Sequence, residues 1–189
     1  MAQTKAKCLT FDDYLVYDDG SDRRYDLLQN GDLVAVPNES ALNDYLARWL
    51  MMKLSAVVDL RLIVAHSLTL EVEPVGDSYR NRRPDLVVLR PEHLQLKSIL
   101  KQTALPLGSP APQLIAEIVS PGDTASDNYR RDYEWKRQQY QTWNVPEYWI
   151  IDPVRSKLTV LVLVDGWYQK TVYTGQQLVV STVFSELLH

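Results

Sequence analysis

The chain has 189 residues, of which 46% are hydrophobic and 23% are charged, and this balance excludes a disordered protein. A formal net charge of −4 is not typical of a general nucleic-acid binder. The single cysteine, Cys8, excludes an internal disulfide, and no apolar stretch is long enough to span a membrane. The first residues lack the apolar centre of a signal peptide, so we expect a cytoplasmic protein. The length predicts a single domain over residues 1–189.

The negative charge is concentrated near the N-terminus. Residues 11–45 contain nine acids and two arginines, a net charge of −7, which leaves +3 for the rest of the chain. Residues 80–90 and residues 130–137 each contain four basic residues. We expect the acidic segment to face away from nucleic acid, and the basic segments to flank a functional site. The alternative is that both basic segments are ordinary solvated surface.

The N-terminal half of the chain alternates extended and helical patterns. It predicts a hairpin at residues 25–36 with Asn30-Gly31 as its turn, a helix from residues 38–40 to about residue 53, an extended segment at 59–74 and a short buried strand at 85–89. Residues 90–112 contain four prolines and predict a loop with a short helix at 92–99.

The C-terminal half predicts a strand at 114–119, a helix at 132–143 that Pro146 terminates, a strand at 147–152 and a hairpin of residues 157–164 and 167–173 about Asp165-Gly166. Strands alternating with helices favour one α/β domain, in which a mixed sheet carries a helix on each side.

The helix at 132–143 places a lysine on its buried face. At about 100° per residue, the solvent face collects Glu134, Arg137, Gln138 and Gln141. The opposite face collects Asp132, Trp135, Lys136, Gln139, Tyr140 and Trp143. A lysine among aromatic rings needs a charged partner, since burying an unpaired ammonium is costly. An ordinary ion pair with Asp132, four residues earlier, is one possible partner.

Two carboxylates interrupt apolar segments and are further partners for that lysine. Glu117 lies within LIAEIV, where strand alternation places it on one face with Ile115 and Val119. Asp85 opens the apolar segment DLVVL. A structural ion pair would explain the first, and a strand-start residue the second. Taken with Lys136, however, the three inward charges predict a metal-dependent catalytic centre, with Mg²⁺ or Mn²⁺ as the cation.

The order Pro84-Asp85, Glu117 and then a lysine resembles the PD-(D/E)XK nuclease superfamily. More closely, RRPDLVVL, AEIVSP, RDYEWKRQQY and VPEYWIIDP resemble a bacterial family of restriction endonuclease-like proteins within it, first described as a domain of unknown function. The resemblance covers nearly the whole chain and is most specific from Glu117 to Pro153. It implies a restriction-endonuclease-like α/β fold, a mixed β-sheet flanked by helices with N-terminal and C-terminal hairpins.

The resemblance also implies roles for individual residues. The superfamily pattern has a lysine two residues after the glutamate, where this chain has Val119, so the family resemblance assigns that lysine to Lys136 on the following helix. Asp85, Glu117 and the backbone carbonyl of Ile118 would be the metal ligands. We expect Asp132 and Tyr140 to position the lysine, and the resemblance adds Glu39 as a further acid. Arg82 and Arg83 would contact backbone phosphates of nucleic acid.

We therefore expect a metal-dependent endonuclease that hydrolyses DNA, with no membrane contact, and a homodimer if both strands are cut. The alternative is an inactive nuclease-fold protein that binds nucleic acid or a protein partner, because Val119 is also what an inactive member would show. A third possibility is a structural dimer that keeps the charges as a buried ion network. His66, His93 and His189 lack metal-ligand spacing and are interpreted as ordinary residues.

Overall fold

A computed structural model describes residues 8–36, 40–76, 78–120 and 125–184. Its α-helices are α1 (Phe11–Leu15), α2 (Ala41–Leu54), α3 (Lys97–Gln102), α4 (Asp127–Arg130) and α5 (Lys136–Thr142). Its strands are β1 (Tyr25–Leu27), β2 (Leu33–Ala35), β3 (Ile63–Ala65), β4 (Thr69–Glu71), β5 (Asn81–Arg82), β6 (Leu86–Val88), β7 (Ala104–Leu105), β8 (Leu114–Ile118), β9 (Glu147–Asp152), β10 (Lys157–Val164) and β11 (Trp167–Thr174). No helix in these ranges has the length and apolarity that crossing a bilayer requires.

The centre of the described chain is a mixed sheet of strand order β11-β10-β9-β8-β6-β3. Strands β8 and β9 run parallel, and the other neighbours in this sheet are antiparallel. The α4–α5 segment connects the two parallel strands, as a crossover between parallel strands requires. The predicted α/β class, a mixed sheet flanked by helices, is confirmed.

Both predicted hairpins are present. Strands β1 and β2 pair antiparallel, with Asn30 and Gly31 in the connecting loop and Gly31 at φ 82°. Strands β10 and β11 pair over their whole length, and Asp165 and Gly166 adopt φ values of 51° and 83°. A two-residue turn with both φ values positive matches the twist of the flanking strands, which is why Asp-Gly predicts it.

The central sheet separates two hydrophobic cores. Side chains alternate along β8, so Ile115 packs in the core that contains Tyr140 of α5. Ala116 packs in the opposite core, which contains Leu50 of α2. Glu117 therefore projects toward the α5 side from a strand whose residues are all buried. This geometry sets a carboxylate beneath the helix that carries Lys136.

The helical segment around Lys136 is longer than predicted. It begins at Asp127, passes through a π-helical turn at Arg131–Trp135 and continues as α5 to Thr142. The predicted solvent face is exposed at Glu134, Arg137 and Gln138. Gln141, the fourth residue of that face, is half-buried and not exposed. Its Oε1 accepts a hydrogen bond of 3.0 Å from the backbone N–H of Tyr168. A single π-turn in an α-helix frequently marks a functional site.

The predictions for the connecting segments were partly wrong. Within residues 59–74 the strands are β3 and β4, and a 3₁₀ turn at Leu60–Leu62 precedes them. The helix predicted at 92–99 is divided into a 3₁₀ helix at Pro91–Gln95 and α3, because Leu96 has an extended backbone. The buried His93 ring fixes that first turn by contacting the Arg90 N–H and the Pro110 carbonyl.

Gly76 permits close approach of the β4–β5 connection to the Lys136-bearing helix. Its φ is +68°, and a Cβ added there would clash with the Trp135 ring. Gly175 has a similar φ of +61°, but open space surrounds it.

We expect Gly175→Ala to lower the free energy of unfolding by about 1–2 kcal/mol through backbone strain. Gly76→Ala should lower it further because Trp135 must also move. Urea unfolding of both variants measures the difference, and equal losses would contradict the contact.

Candidate functional site

The register of β6 and β8 brings the two predicted carboxylates to one face of the sheet. Leu86 pairs with Ala116 in this antiparallel ladder, so one step further Asp85 lies opposite Glu117. Residues directly opposite in such a ladder have Cβ atoms about 4.5–5.5 Å apart. The backbone N–H of Ile118 donates a hydrogen bond of 2.6 Å to Asp85 Oδ2 and fixes that carboxylate. Asp85 and Glu117 both line a cavity of about 300 Å³.

Lys136 extends from the helix toward the same cavity. Its Nζ lies 2.7 Å from Glu117 Oε2 and 2.8 Å from Asp132 Oδ1. Tyr140 donates a hydrogen bond of 2.8 Å from its hydroxyl to Glu117 Oε1. The helix thus presents three inward groups at four-residue intervals, since Asp132, Lys136 and Tyr140 occupy successive turns. The glutamate is held by two donors from one helix.

The buried charges govern one another's ionisation. Burial lowers the pKa of Lys136, but the adjacent Asp132 and Glu117 outweigh burial, and that pKa lies above its usual value. Burial raises the pKa of Glu117, and the negative charge of Asp132 adds to the rise against the opposing Lys136 charge. Burial is the largest of these effects on the Glu117 pKa, because it disfavours the charged carboxylate. Because its own pKa is raised, Lys136 is a cation in this arrangement.

The strand position that holds lysine in the superfamily pattern is part of the core here. Val119 is 1% exposed and packs in the cluster that contains Ile115 and Tyr140. A charged group at position 119 would have to displace that packing. The Lys136 ammonium instead reaches Glu117 from the helix above the strand. The positive charge that the superfamily pattern places on the strand can therefore come from the helix.

Basic side chains form much of the cavity wall, and they are Arg24, Arg82, Arg83, Arg131 and Lys136. Arg82 is only 4% exposed, and its Nε donates a hydrogen bond of 2.8 Å to Gln139 Oε1. Arg83 donates from Nη2 to the Tyr14 hydroxyl at 2.6 Å. Within the described residues, Arg83 Nη1 is buried and has no hydrogen-bond partner. The β1–β2 hairpin contributes Arg24 to this wall, so the acidic N-terminal segment does not lie wholly apart from the site.

Sequence reasoning missed His66, which lies at the end of β3. Its backbone is in the left-handed region at φ 56°, which is uncommon for a residue other than glycine. Its N–H donates to the Asp85 carbonyl at 3.1 Å, and its ring Nδ1 lies 3.5 Å from Asp85 Oδ1. The Nε2 atom lies 3.8 Å from Asp44 Oδ1. Only the pairing of β3 with β6 brings this histidine to Asp85, so nothing in the local sequence identifies it.

Asn43 is a second residue that the sequence did not reveal. It is buried on the inner face of α2, and its Nδ2 donates a hydrogen bond of 3.3 Å to the Ile118 carbonyl. Asn43 lies on the same buried face of the helix as Leu50 and Leu54. The hydrophobic pattern predicts an apolar side chain at such a position, and not an amide. Glu39, the additional acid suggested by the resemblance, lies outside the described residues.

The donor set fits a hard divalent cation. Asp85, Glu117 and the Ile118 carbonyl offer oxygen ligands beside the cavity. Mg²⁺ is typically bound by one or two carboxylates and keeps several waters. The described residues contain no group of three histidine, cysteine or acidic side chains that could enclose a metal ion. Two carboxylates and one carbonyl would leave the remaining coordination positions of Mg²⁺ to water.

Comparison with known proteins agrees with this architecture. The family model described as "Uma2: Putative restriction endonuclease" matches residues 11–188. The chain is also similar to a solved structure, a putative nuclease belonging to DUF820 from Anabaena variabilis ATCC 29413. The two share 17% identity with a TM-score of 0.65, and the match covers 96% of this chain and 94% of the other. No curated protein matches the chain. The chain therefore belongs to the Uma2 family of putative restriction endonucleases.

Proposed function

We propose that this protein is a Mg²⁺-dependent endonuclease that hydrolyses phosphodiester bonds of DNA. The observation that carries the proposal is the 2.7 Å contact of Lys136 Nζ with Glu117 Oε2, beside Asp85 at one cavity. These are the three charged groups that the family pattern requires, although the lysine comes from a helix. Membership of the Uma2 family supports nuclease activity.

Asp85, Glu117 and the Ile118 carbonyl would hold the cation, and Mn²⁺ would fit the same oxygen ligands. When bound, the cation would neutralise phosphate charge and make an attacking water more acidic. The residues themselves supply the rest of the chemistry. Lys136, kept charged between two carboxylates, would orient the attacking water or stabilise the negative charge of the transition state. It is poorly suited to act as a base.

Asp132 and Tyr140 are positioning residues in this proposal. Asp132 fixes the ammonium from one side at 2.8 Å, and Tyr140 fixes Glu117 through its hydroxyl. Tyr148 supports Asp132 in turn, because its hydroxyl donates a hydrogen bond of 2.9 Å to the Asp132 carbonyl. A catalytic group must be held close to its productive position, so such outer contacts matter for rate.

The arginines of the cavity wall would bind the phosphates that flank the cleaved bond. Arg83 has a guanidinium nitrogen without a hydrogen-bond partner in the described structure, and a phosphate oxygen could supply one. Arg82 is more buried and would act mainly through its charge. Arg131 is the more accessible candidate, since its side chain is 34% exposed at the cavity. DNA as the substrate, a homodimer and a cytoplasmic location remain predictions.

A nuclease-fold protein without catalytic activity is the second candidate. Val119 supports it, because the strand lysine is missing from its usual position. The internal pairing of Lys136 with Asp132 supports it too, since a purely structural ion network would look similar. Such a protein would still bind nucleic acid or a protein through the basic cavity wall. Cleavage, rather than binding, distinguishes the two candidates.

The first test is cleavage of a supercoiled plasmid with Mg²⁺ or Mn²⁺. We expect the wild-type protein to cut, Lys136→Met to lose cleavage, and Lys170→Met, at an exposed position on β11, to keep it. Lys136→Met should also lower the free energy of unfolding by about 3 kcal/mol at neutral pH, because two buried carboxylates lose their cation. This loss should shrink as the pH falls, since protonation removes the repulsion. Full cleavage by Lys136→Met would contradict its role.

A second prediction concerns His66 as a positioning residue for Asp85. His66→Gly fits the left-handed backbone but removes the ring, whereas His66→Asn tolerates that backbone and keeps a polar nitrogen near the position of Nδ1. We expect the glycine variant to bind Mn²⁺ about tenfold more weakly, and the asparagine variant to stay within about threefold of wild type. Paramagnetic resonance of free Mn²⁺ measures this without substrate. Wild-type affinity in His66→Gly would exclude the role.

A third prediction tests DNA binding in the presence of a chelator, where no cleavage occurs. Arg131→Gln should weaken binding and reduce the slope of log affinity against log salt by about 0.9, the loss of one phosphate contact. Arg23→Gln is the matched control, because Arg23 is exposed but does not line the cavity. Fluorescence anisotropy over a salt series gives both slopes. An unchanged slope for Arg131→Gln would remove Arg131 from the DNA interface.

A further inference from the structure

Helix α2 is apolar on both faces. Its inner face buries Ala47, Leu50 and Leu54 against the sheet. Its outer face carries what we call the α2 stripe, which consists of Leu42, Tyr45, Trp49 and Met52 with 52, 58, 41 and 60% of their surface exposed. A surface helix ordinarily presents polar residues to solvent, whereas a helix that is hydrophobic all round is buried. The α2 stripe therefore indicates a covered surface.

The composition of the stripe is typical of protein interfaces. Tyrosine, tryptophan and methionine are enriched there, and tryptophan and tyrosine often contribute most of the binding energy. The exposed residues of the same face also include Arg48, but its guanidinium is already paired with Asp44 at 2.7 Å. The outer face of α2 therefore offers a partner mainly apolar contacts.

The spacing of the stripe is symmetric. Its residues follow one another at intervals of three, four and three positions, so the pattern is the same in both chain directions. A second copy of α2 packed antiparallel about a two-fold axis would therefore match it side chain for side chain. Leu42 would meet Met52 of the second copy, and Tyr45 would meet Trp49. An isologous interface requires this self-complementarity.

The charges beside the stripe favour the same antiparallel arrangement. Lys53 lies near the C-terminal end of α2, with its Nζ 5.5 Å from the centre of the Trp49 ring, whereas Asp44 is paired with Arg48. In an antiparallel pair the two lysines lie at opposite ends of the interface, and the helix dipoles attract each other. A parallel pair would instead set like charges side by side.

We infer that the α2 stripe is a homodimer interface in which α2 packs antiparallel against α2 of a second copy of this chain. The inference does not depend on nuclease activity. It does connect the interface to the candidate site, because Asn43 in the same helix donates to the Ile118 carbonyl. A helix pair buries an area at the low end of specific interfaces, so the dimer should be weak and depend on protein concentration.

Cross-linking tests the arrangement directly. In a Cys8→Ser background, Leu42→Cys protein and Met52→Cys protein are treated with a short bismaleimide, separately and mixed. The mixture should form covalent dimers, whereas each protein alone should not. In the antiparallel pair, identical positions are separated by ten residues of helix, about 15 Å along the axis. Cross-linking of each protein alone, without a gain on mixing, would overturn the antiparallel arrangement.

Sedimentation equilibrium supplies the second measurement. The wild-type protein should show a concentration-dependent dimer, and Trp49→Glu should raise its dissociation constant by at least about tenfold. Trp167→Glu, at a tryptophan 71% exposed on β11, is the matched control and should leave the dimer unchanged. Circular dichroism checks that both variants fold.

A wild-type monomer throughout the concentration range would overturn the inference. Thiol reactivity of Leu42→Cys would then identify what covers the stripe. A protected thiol would indicate another part of this chain, and a reactive thiol would indicate a face left open for a different partner. A dimer that Trp49→Glu leaves intact would also overturn the inference, since the contact would then lie elsewhere.

Discussion

The ion cluster of Lys136 with Glu117 and Asp132 is the constraint on which the rest of the site depends. The side chains of both acids are 3% exposed, and that of the lysine is 11% exposed, so none of the charges is well hydrated. Removing one member of a buried ion pair typically costs about 3–5 kcal/mol, because the remaining charge stays unpaired. The helix must therefore lie where its lysine reaches the strand. Any displacement of the helix from β8 would separate charges that water cannot replace.

The sheet supplies the other half of this geometry. The parallel pairing of β8 and β9 requires a crossover, and the crossover contains the helix with Lys136. The antiparallel pairing of β8 with β6 brings Asp85 opposite Glu117, and the pairing of β6 with β3 brings His66 beside Asp85. A carboxylate, a second carboxylate and an imidazole from three strands thus converge at one edge of the cavity. Backbone hydrogen bonds, rather than loops, hold them there, which favours precise positioning.

Helix α2 has a different relation to the site. Its inner face packs against the sheet and supplies Asn43, and its outer face carries the α2 stripe. If two copies pair through that face, the two cavities are related by a two-fold axis. The same symmetry relates the two strands of a DNA duplex, so a two-fold dimer is well suited to cutting both. The β1–β2 hairpin completes the cavity from the other side with Arg24, although its surrounding sequence is acidic.

Local sequence determined much of this protein. Alternation in LIAEIV predicted that Glu117 shares a strand face with Ile115 and Val119, Asp-Gly and Asn-Gly predicted both hairpins, and helical periodicity predicted that Lys136 faces inward. These features depend on neighbours a few residues apart, whose geometry is fixed by the backbone. The π-turn before Lys136, the half-burial of Gln141 and the positions of His66 and Asn43 were not predictable in that way. They depend on contacts between segments distant in sequence, such as Gln141 with Tyr168 and Asn43 with Ile118. Strand pairing decides those contacts, and the register of one strand against another is set by the whole core and not by any one segment.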